Sequence, residues 1–167
     1  MEVGPAARVV ALLAGLGLAG PAGADAPQVE HQPVACVAAG QPFSICATIT
    51  DDVQVSRAQV YFRPDGSDYF SFVDMAFGGL RYCGTLPAPR PGKLRRLQYY
   101  VQGLDDAYNP RRTTSHWIAV KPASDCPHSP AADPAPIVVH ATHPKQGKKL
   151  PDAFLATGVS FVPVQAR

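Results

Sequence analysis

SICATITDDVQVSRAQVYFRPDG, residues 44–66, opens the stretch that decides the fold, and this stretch continues to position 120. In its first part Ile45, Ala47 and Ile49 alternate with Cys46 and Thr48 before an acidic turn. Its second run, AQVYF, is rich in β-branched and aromatic residues and ends at Pro-Asp-Gly. A hydrophobic period of two between turn residues predicts β-strands.

Further runs of the same kind follow these two, and one short apolar segment precedes them. The runs are Tyr69–Met75, Leu80–Leu86, Leu97–Gly103 and Thr113–Val120, and the earlier segment is Val29–Val37. Proline lacks the backbone donor that a helix interior needs, and its 18 occurrences argue against helices. About seven short strands separated by turns predict an all-β fold, an antiparallel β-sandwich.

Five ordered motifs carry a resemblance to a known family: SICATITDD, AQVYFRPDG, RYCGTLP, LQYYVQGLDD and SHWIAV. In order and spacing they resemble the immunoglobulin-like or fibronectin type III-like (Ig-like/FnIII-like) β-sandwich module of exported bacterial proteins. The match covers about half of the chain. It implies that the strands containing Cys46 and Cys83 are antiparallel neighbours in one sheet. Such modules serve as linkers, adhesion units and ligand binders, so the resemblance indicates a fold without choosing a function.

Residues 1–24 have the composition of an export signal. Arg8 precedes the apolar run Val9–Leu18, and the small residues at 22–24 offer a cleavage site. The apolar run is too short to span a bilayer, and no later stretch is apolar enough to do so. We therefore expect a signal peptide at 1–24 and a periplasmic or secreted mature chain without a membrane span.

Composition divides the mature chain into three parts: a sandwich at 25–121, a Pro-rich linker at 122–136 and a flexible tail at 137–167. The linker is rich in Pro, Ala, Ser and Asp, which leaves it little apolar surface to bury. The tail contains two strand-like segments, Ile137–Val139 and Val159–Val164. Our hypothesis is that these segments add to a sheet edge, in this molecule or in a neighbour.

Four cysteines in a small exported chain favour a disulfide framework. Alternation points Cys46 and Cys83 away from the core, and the resemblance places their strands side by side, as a cross-strand disulfide requires. Cys36 and Cys126 are then left to join the lead of the chain to the linker. Cys36 with Cys46 across a short hairpin is the competing pairing, and four cysteines allow three connectivities.

Several Asp, Asn and His side chains could serve as metal ligands, but their spacing in the sequence is not that of a known metal-binding motif. The oxygen ligands are Asp51, Asp52, Asp105, Asp106 and Asn109, in two turns at one end of the predicted sandwich, and the histidines are His128, His140 and His143. The acidic turns gather oxygens of the kind that Ca²⁺ prefers, but Asp and Asn are also common turn formers. The histidines lie in a Pro-rich segment without a helix to align them. We predict no metal and no cofactor.

No motif joins a nucleophile to a base, so we predict no catalytic residue and expect that the chain is not an enzyme. The net charge of +2 gives no argument for a nucleic-acid partner. Basic residues do gather at Arg90, Lys93, Arg95 and Arg96, with Arg111 and Arg112 further along. Such a run is a solvated loop in most proteins, and the alternative is a rim that faces anionic envelope polymers.

Strand alternation sends some aromatic side chains outward. Because Tyr99 takes the inward phase, Tyr100 is predicted to face a ligand, together with Trp117. An exposed aromatic stripe suits a sugar ring or another protein, although core packing and cross-strand pairing also place aromatic residues in strands. We therefore expect a non-catalytic exported module for protein–protein or structural interactions in the cell envelope. The alternative is a carbohydrate-binding module.

Overall fold

The structure is a computed structural model that describes Met1 and residues 25–165. The predicted signal peptide, apart from Met1, lies outside the described residues. The described part of the chain forms β-strands and two short 3₁₀ turns, with no α-helix. No helix in this part has the length and apolar character needed to cross a membrane.

Twelve strands are present between residues 25 and 165. They are β1 (Gln28–Glu30), β2 (Cys36–Ala38), β3 (Phe43–Thr50), β4 (Val55–Pro64), β5 (Ser71–Asp74), β6 (Ala76–Phe77), β7 (Tyr82–Leu86), β8 (Arg96–Asp105), β9 (Pro110–Arg112), β10 (His116–Lys121), β11 (Ile137–Ala141) and β12 (Val159–Val162). The all-β prediction is confirmed. The expected number of about seven strands is too low, because predicted single runs divide between sheets and the tail contributes strands.

These strands form two sheets. The smaller sheet has the order β1-β3-β7-β6, and the larger has the order β12-β11-β5-β4-β8-β10-β2, with β9 paired to β8. The pairing was expected to be antiparallel throughout. Two pairs, β10 with β2 and β11 with β12, are parallel instead. In each, a long stretch of chain separates the two strands, which gives room for the crossover that parallel pairing needs.

The core lies between the two sheets and is built by alternation. In β8 the odd positions Leu97, Tyr99 and Val101 are fully buried, whereas the even positions are partly or fully exposed. Gly103 continues the buried phase, and a Cβ added there would lie 2.8 Å from Cγ2 of Ile49. The larger sheet therefore approaches the smaller one too closely at this point for any side chain.

The predicted first strand, Val29–Val37, is divided in two. Gln28–Glu30 pairs with β3 in the smaller sheet, while Cys36–Ala38 pairs with β10 in the larger one. The intervening residues cross from one sheet to the other and include Pro33. Proline removes a ladder donor, so a break in the strand at this position has a local cause.

Two disulfides follow the favoured pairing. Cys46 and Cys83 lie directly opposite each other on β3 and β7, with their Cα atoms 4.1 Å apart. Cys36 and Cys126 join β2 to the segment after β10 across 90 residues of chain. Closing so long a loop restricts the unfolded chain, which stabilises the fold by about 2–4 kcal/mol.

The expected boundaries at 122–136 and 137–167 do not coincide with a break in the packing. Cys126 is 2 % exposed within the predicted linker, and the Ser129 hydroxyl accepts a hydrogen bond from the backbone N–H of Ala38. In the predicted tail, β11 pairs antiparallel with β5, and Val139 is fully buried. The hypothesis of strand addition therefore holds within this molecule, where both segments extend the larger sheet.

Residues 31–35, between β1 and β2, cross from one sheet to the other, and we call them the crossing segment. His31 in this segment bridges the two sheets. Its Nδ1 donates to the carbonyl of Cys46 at 2.8 Å, and its Nε2 lies 2.6 Å from the hydroxyl of Tyr99. A carbonyl only accepts, so Nδ1 carries the proton and Nε2 accepts from the tyrosine in the neutral ring. Burial lowers the pKa of His31, and the nearby His116 adds to the effect, although the bond to Cys46 opposes it.

Replacing Val139 with alanine tests whether β11 belongs to the core. Val139→Ala removes two buried methyl groups, and we expect it to lower the free energy of unfolding by about 2 kcal/mol. Val138→Ala, on the same strand but 40 % exposed, is the matched control and is expected to stay within about 0.5 kcal/mol. Urea denaturation of the mature chain measures both, and equal effects would contradict the assignment.

The bridge formed by His31 predicts a pH dependence of stability. A depressed pKa in the folded state means that folding favours the neutral ring, whose contribution is complete above the ordinary value of 6.5. Below that pH the unfolded chain takes up the proton first, and stability falls towards the folded-state pKa. Denaturation at pH 7.5 and pH 5 should show a smaller loss for His31→Gln than for the unmodified chain. The exposed His128→Gln is the control, and identical losses in all three chains would refute the bridge's role.

Candidate interaction surface

The outer face of the larger sheet contains a row of rings that crosses four strands. Register places His140 of β11 opposite Phe72 of β5, Phe72 opposite Tyr61 of β4, and Tyr61 opposite Tyr100 of β8. All four side chains point away from the core and are half-buried. We call these four residues the aromatic row.

Neighbouring rings in the aromatic row stack on one another. The centroids of His140 and Phe72 are 4.7 Å apart with planes 10° from parallel, and those of Tyr61 and Tyr100 are 4.8 Å apart at 6°. Phe72 and Tyr61 are more tilted, at 5.3 Å and 36°. These separations match the spacing of strands in a sheet, so the rings stand upright and cover each other's faces. Solvent therefore meets ring edges and tyrosine hydroxyls.

Polar side chains beside the row fix the orientation of Tyr61. Its hydroxyl donates to Oε1 of Gln59 at 3.0 Å, and Nε2 of Gln59 donates to a carboxylate oxygen of Asp74 at 2.9 Å. Burial is the main cause that raises the pKa of Tyr61, so the hydroxyl stays protonated near neutral pH. The aromatic row thus has hydrogen-bonded polar groups along its edge and is not a purely apolar surface.

Guanidinium groups lie over three rings on this face. Arg63 is 4.6 Å from the ring centroid of Phe70, and Arg96 is 4.5 Å from that of Trp117. Arg112 is 5.3 Å from the ring centroid of Tyr100. A guanidinium within about 6 Å of a ring face is attracted by the ring quadrupole. These contacts restrict the arginine side chains and keep them on the sheet.

The two predicted ligand-facing residues lie on this same face but in different settings. Tyr100 belongs to the aromatic row, with Tyr61 against one face and Phe70 edge-on at 5.1 Å. Trp117 of β10 is 46 % exposed, and its indole is the most exposed ring on the face. Arg96, which covers part of it, also forms an ion pair with Asp65 at 2.8 Å.

The sequence reasoning missed His140 and Arg63 as members of this surface, and it named Phe72 and Arg112 only within larger sets of aromatic and basic residues. Outward phases for Tyr61 and Arg63 follow from the alternation that buries Val60 and Phe62. His140 carried no comparable signal, because its position depends on the pairing of β11 with β5, which joins residues far apart in the chain. The same limit applies to Arg112, which was expected only as a possible part of the basic rim and is placed on this face by the pairing of β9 with β8.

The predicted basic rim does not form one surface. Arg90 pairs with Asp152 and donates to the carbonyls of Asp152 and Phe154, so it fastens the tail to the β7–β8 loop. Arg96 and Arg112 lie on the outer face of the larger sheet instead. The run therefore divides between a structural role and the candidate surface.

A groove of about 960 Å³ opens elsewhere, between the crossing segment and the linker. His31, Pro33, Cys46, Pro127 and His128 are among its lining residues. Its histidines are not arranged with other ligands: in the described part of the chain no three His, Cys, Asp or Glu side chains converge as a metal site would require. His31 is already engaged in the bridge between the sheets.

The acidic turns use their oxygens locally. Asp51 accepts from the backbone N–H groups of Val53 and Gln54, both at 3.0 Å. Asp105 is fully buried and accepts from the backbone and side-chain nitrogens of Asn109 at 2.6 and 2.8 Å. These contacts are those of turn-forming residues.

Comparison with known proteins yields no family. No protein-family model and no curated protein matches the chain. Among solved structures, the chain is similar to an engineered protein at 16 % identity and a TM-score of 0.43, over 57 % of this chain and 20 % of that one.

The chain is also similar to the SrpA adhesin of Streptococcus sanguinis, at 17 % identity and a TM-score of 0.40 over 69 % of this chain and 66 % of that one. A point mutant of the same adhesin gives 16 % identity and 0.39, over 66 % and 63 %. The chain thus spans about a fifth of the engineered protein and less than two thirds of the adhesin. With scores this low, none of these likenesses supports a conclusion about family or function.

Proposed function

We propose that this chain is a non-catalytic exported module that binds a protein partner in the cell envelope through the outer face of its larger sheet. The observation that carries the proposal is the aromatic row, in register across four strands and bordered by arginines that rest on rings. Aromatic residues and arginine are the types enriched at the centres of protein interfaces.

Export is supported by the disulfides. The described cysteines are all paired, and disulfides persist in oxidising compartments such as the periplasm or the exterior of the cell. The apolar run at 9–18, which precedes the described residues, adds a sequence argument for a signal peptide. Both observations support a periplasmic or secreted location.

The proposed fold is an Ig-like/FnIII-like sandwich, of which 25–121 forms the main part. Its support is the antiparallel pairing of the strands that carry Cys46 and Cys83, together with the two sheets that share one core. In this proposal the linker and the tail are additions to the module, with β11 and β12 widening one sheet.

Ring geometry favours a protein over a sugar as the partner. A sugar ring packs its C–H groups against the negative face of an aromatic ring. In the aromatic row those faces are occupied by neighbouring rings, and one face of Trp117 is covered by Arg96. Ring edges, hydroxyls and guanidinium groups instead suit the mixed polar and aromatic surface of another protein.

Capture from native envelope extract by the mature chain tests this function. We expect one protein to be retained, and Trp117→Ala to reduce its retention about tenfold or more, because tryptophan is enriched among the few residues that contribute most of the binding energy at interfaces. Phe77→Ala is the matched control, since Phe77 is 59 % exposed but lies at the edge of the smaller sheet. Quantitative mass spectrometry of the eluates gives the ratio.

Two outcomes contradict the proposal. Retention that survives Trp117→Ala and Tyr100→Ala, each shown by thermal unfolding to be folded, would move the binding site off this face. Capture of polysaccharide alone, lost on Trp117→Ala, would establish the carbohydrate-binding alternative in its place.

A further inference from the structure

The outer face of the larger sheet carries an excess of positive charge. Its outward positions include four arginines, Arg57, Arg63, Arg96 and Arg112, against the carboxylate of Asp74, with Asp65 at the rim. These four arginines exceed the two carboxylates by two positive charges, and Lys121, in the outward phase of β10 with Trp117, adds a further positive charge near the sheet edge. The whole chain has a formal net charge of +2, so this one surface holds an excess at least as large as that of the complete sequence.

In the part of the chain that the structure describes, three of these arginines form no ion pair. Among the described residues the ion pairs involve Arg90 with Asp152, Arg96 with Asp65 and His140 with Asp74. Arg57, Arg63 and Arg112 take part in none of them. Their charges are therefore available to a ligand, whereas Arg96 is already neutralised by a neighbour.

Arg63 and Arg112 are also held in place with donors to spare. Nε of Arg63 donates to Gln98 at 2.9 Å, and its NH1 donates to the carbonyl of Asp68 at 3.2 Å. A guanidinium has five N–H groups, so three remain on Arg63 beyond these two hydrogen bonds, including both of those on NH2. Arg112 lies against the Tyr100 ring. Burial raises the pKa of that tyrosine, and hydrogen bonding to Arg112, together with the charge of Arg112, opposes this effect.

We propose that this face binds an acidic segment of its protein partner, with carboxylates paired end-on to the guanidinium groups of Arg63 and Arg112. The inference rests on the proposed protein-binding function and adds the chemistry of the partner. A planar guanidinium held on a ring matches a carboxylate through two parallel hydrogen bonds. Because the side chains are already ordered by ring contacts, less entropy is lost when the ligand binds.

The spacing of the two arginines defines the segment further. Arg63 pairs with Gln98 and Arg112 with Gln102, on opposite sides of β8. Four residues along a strand and two strand spacings across it separate their Cα atoms by about 16 Å. An extended chain covers that distance in about five residues. The expected ligand is an extended segment with two acidic residues about five positions apart.

A peptide suits this face better than a polyanion or an anionic membrane. Between the two arginines lie upright ring edges and the amides of Gln98 and Gln102, which offer hydrogen bonds to a peptide backbone. Membrane surfaces are usually recognised by clusters of lysine and arginine without such a patterned surround. The two cationic groups at the ends of this path, Arg63 and Arg112, are both guanidinium groups, which favours directed pairing over a diffuse field.

Titration of the mature chain with a hexapeptide that carries glutamate at both ends tests the inference. We expect the peptide to shift the NMR signals of backbone amides in β4, β8 and β9 only. In the double variant Arg63→Gln with Arg112→Gln, we expect the dissociation constant of the peptide to be about tenfold higher or more. The same peptide with glutamine at both ends should cause no shifts. Lys148→Gln with Lys149→Gln removes the same charge from an exposed loop and should leave binding unchanged.

A second variant separates directed pairing from simple charge. Arg63→Lys with Arg112→Lys keeps both charges but loses the planar forks, and we expect it to bind the glutamate peptide several-fold more weakly than the unmodified chain. Amide spectra of each variant without peptide establish that the sheet is intact. Equal binding by the arginine and lysine forms would overturn the proposed pairing.

Other results would overturn the inference while leaving the protein-binding function in place. These are equal binding of the glutamate and glutamine peptides, shifts located outside the three strands, or a partner captured through Trp117 whose retention does not depend on Arg63 and Arg112. Tighter, arginine-dependent binding to dextran sulfate or to vesicles with anionic lipid than to the peptide would assign the face to a polyanion or a membrane instead. Loss of capture on Trp117→Ala remains the separate test of the function itself.

Discussion

The strict alternation of side chains along β8 is the constraint on which both faces of the larger sheet depend. β8 pairs with β4 on one side and with β10 and β9 on the other, so its phase is transmitted to every neighbour. Its odd residues fill the core, and Gly103 permits the close approach to Ile49. A slip of one residue would exchange Tyr99 with Tyr100 and expose the core face.

The same alternation explains why the candidate surface is ordered before any ligand arrives. Tyr100 is placed outward because Tyr99 is inward, and strand spacing then brings Tyr61, Phe72 and His140 into stacking distance. Upright rings support one another and the arginines that rest on them. The surface thus combines rigidity with free hydrogen-bonding edges, a combination that lowers the entropic cost of binding an extended segment.

Contacts between residues that are far apart in the sequence complete the fold, and the local pattern of hydrophobic and turn residues does not predict them. A disulfide joins the segment with Cys126 to β2. β11 pairs with β5 although five other strands, β6 to β10, lie between them in the sequence. Local composition predicted a linker and a flexible tail here, because prolines and short apolar segments look the same whether or not a sheet edge receives them. The edge of β5 supplies the partners that stabilise these short strands.

The sequence by itself determined the all-β class, the phase of the central strands and the outward direction of Cys46, Cys83 and Tyr100, because these depend on a period of two within short stretches of chain. Only the tertiary structure decided which outward residues become neighbours. His140 joins Phe72, Arg112 joins Tyr100, and Arg90 leaves the predicted basic rim to hold Asp152. Each of these contacts depends on pairing between distant segments, and that pairing is set by the competition of whole strands for the available edges rather than by the residues alone.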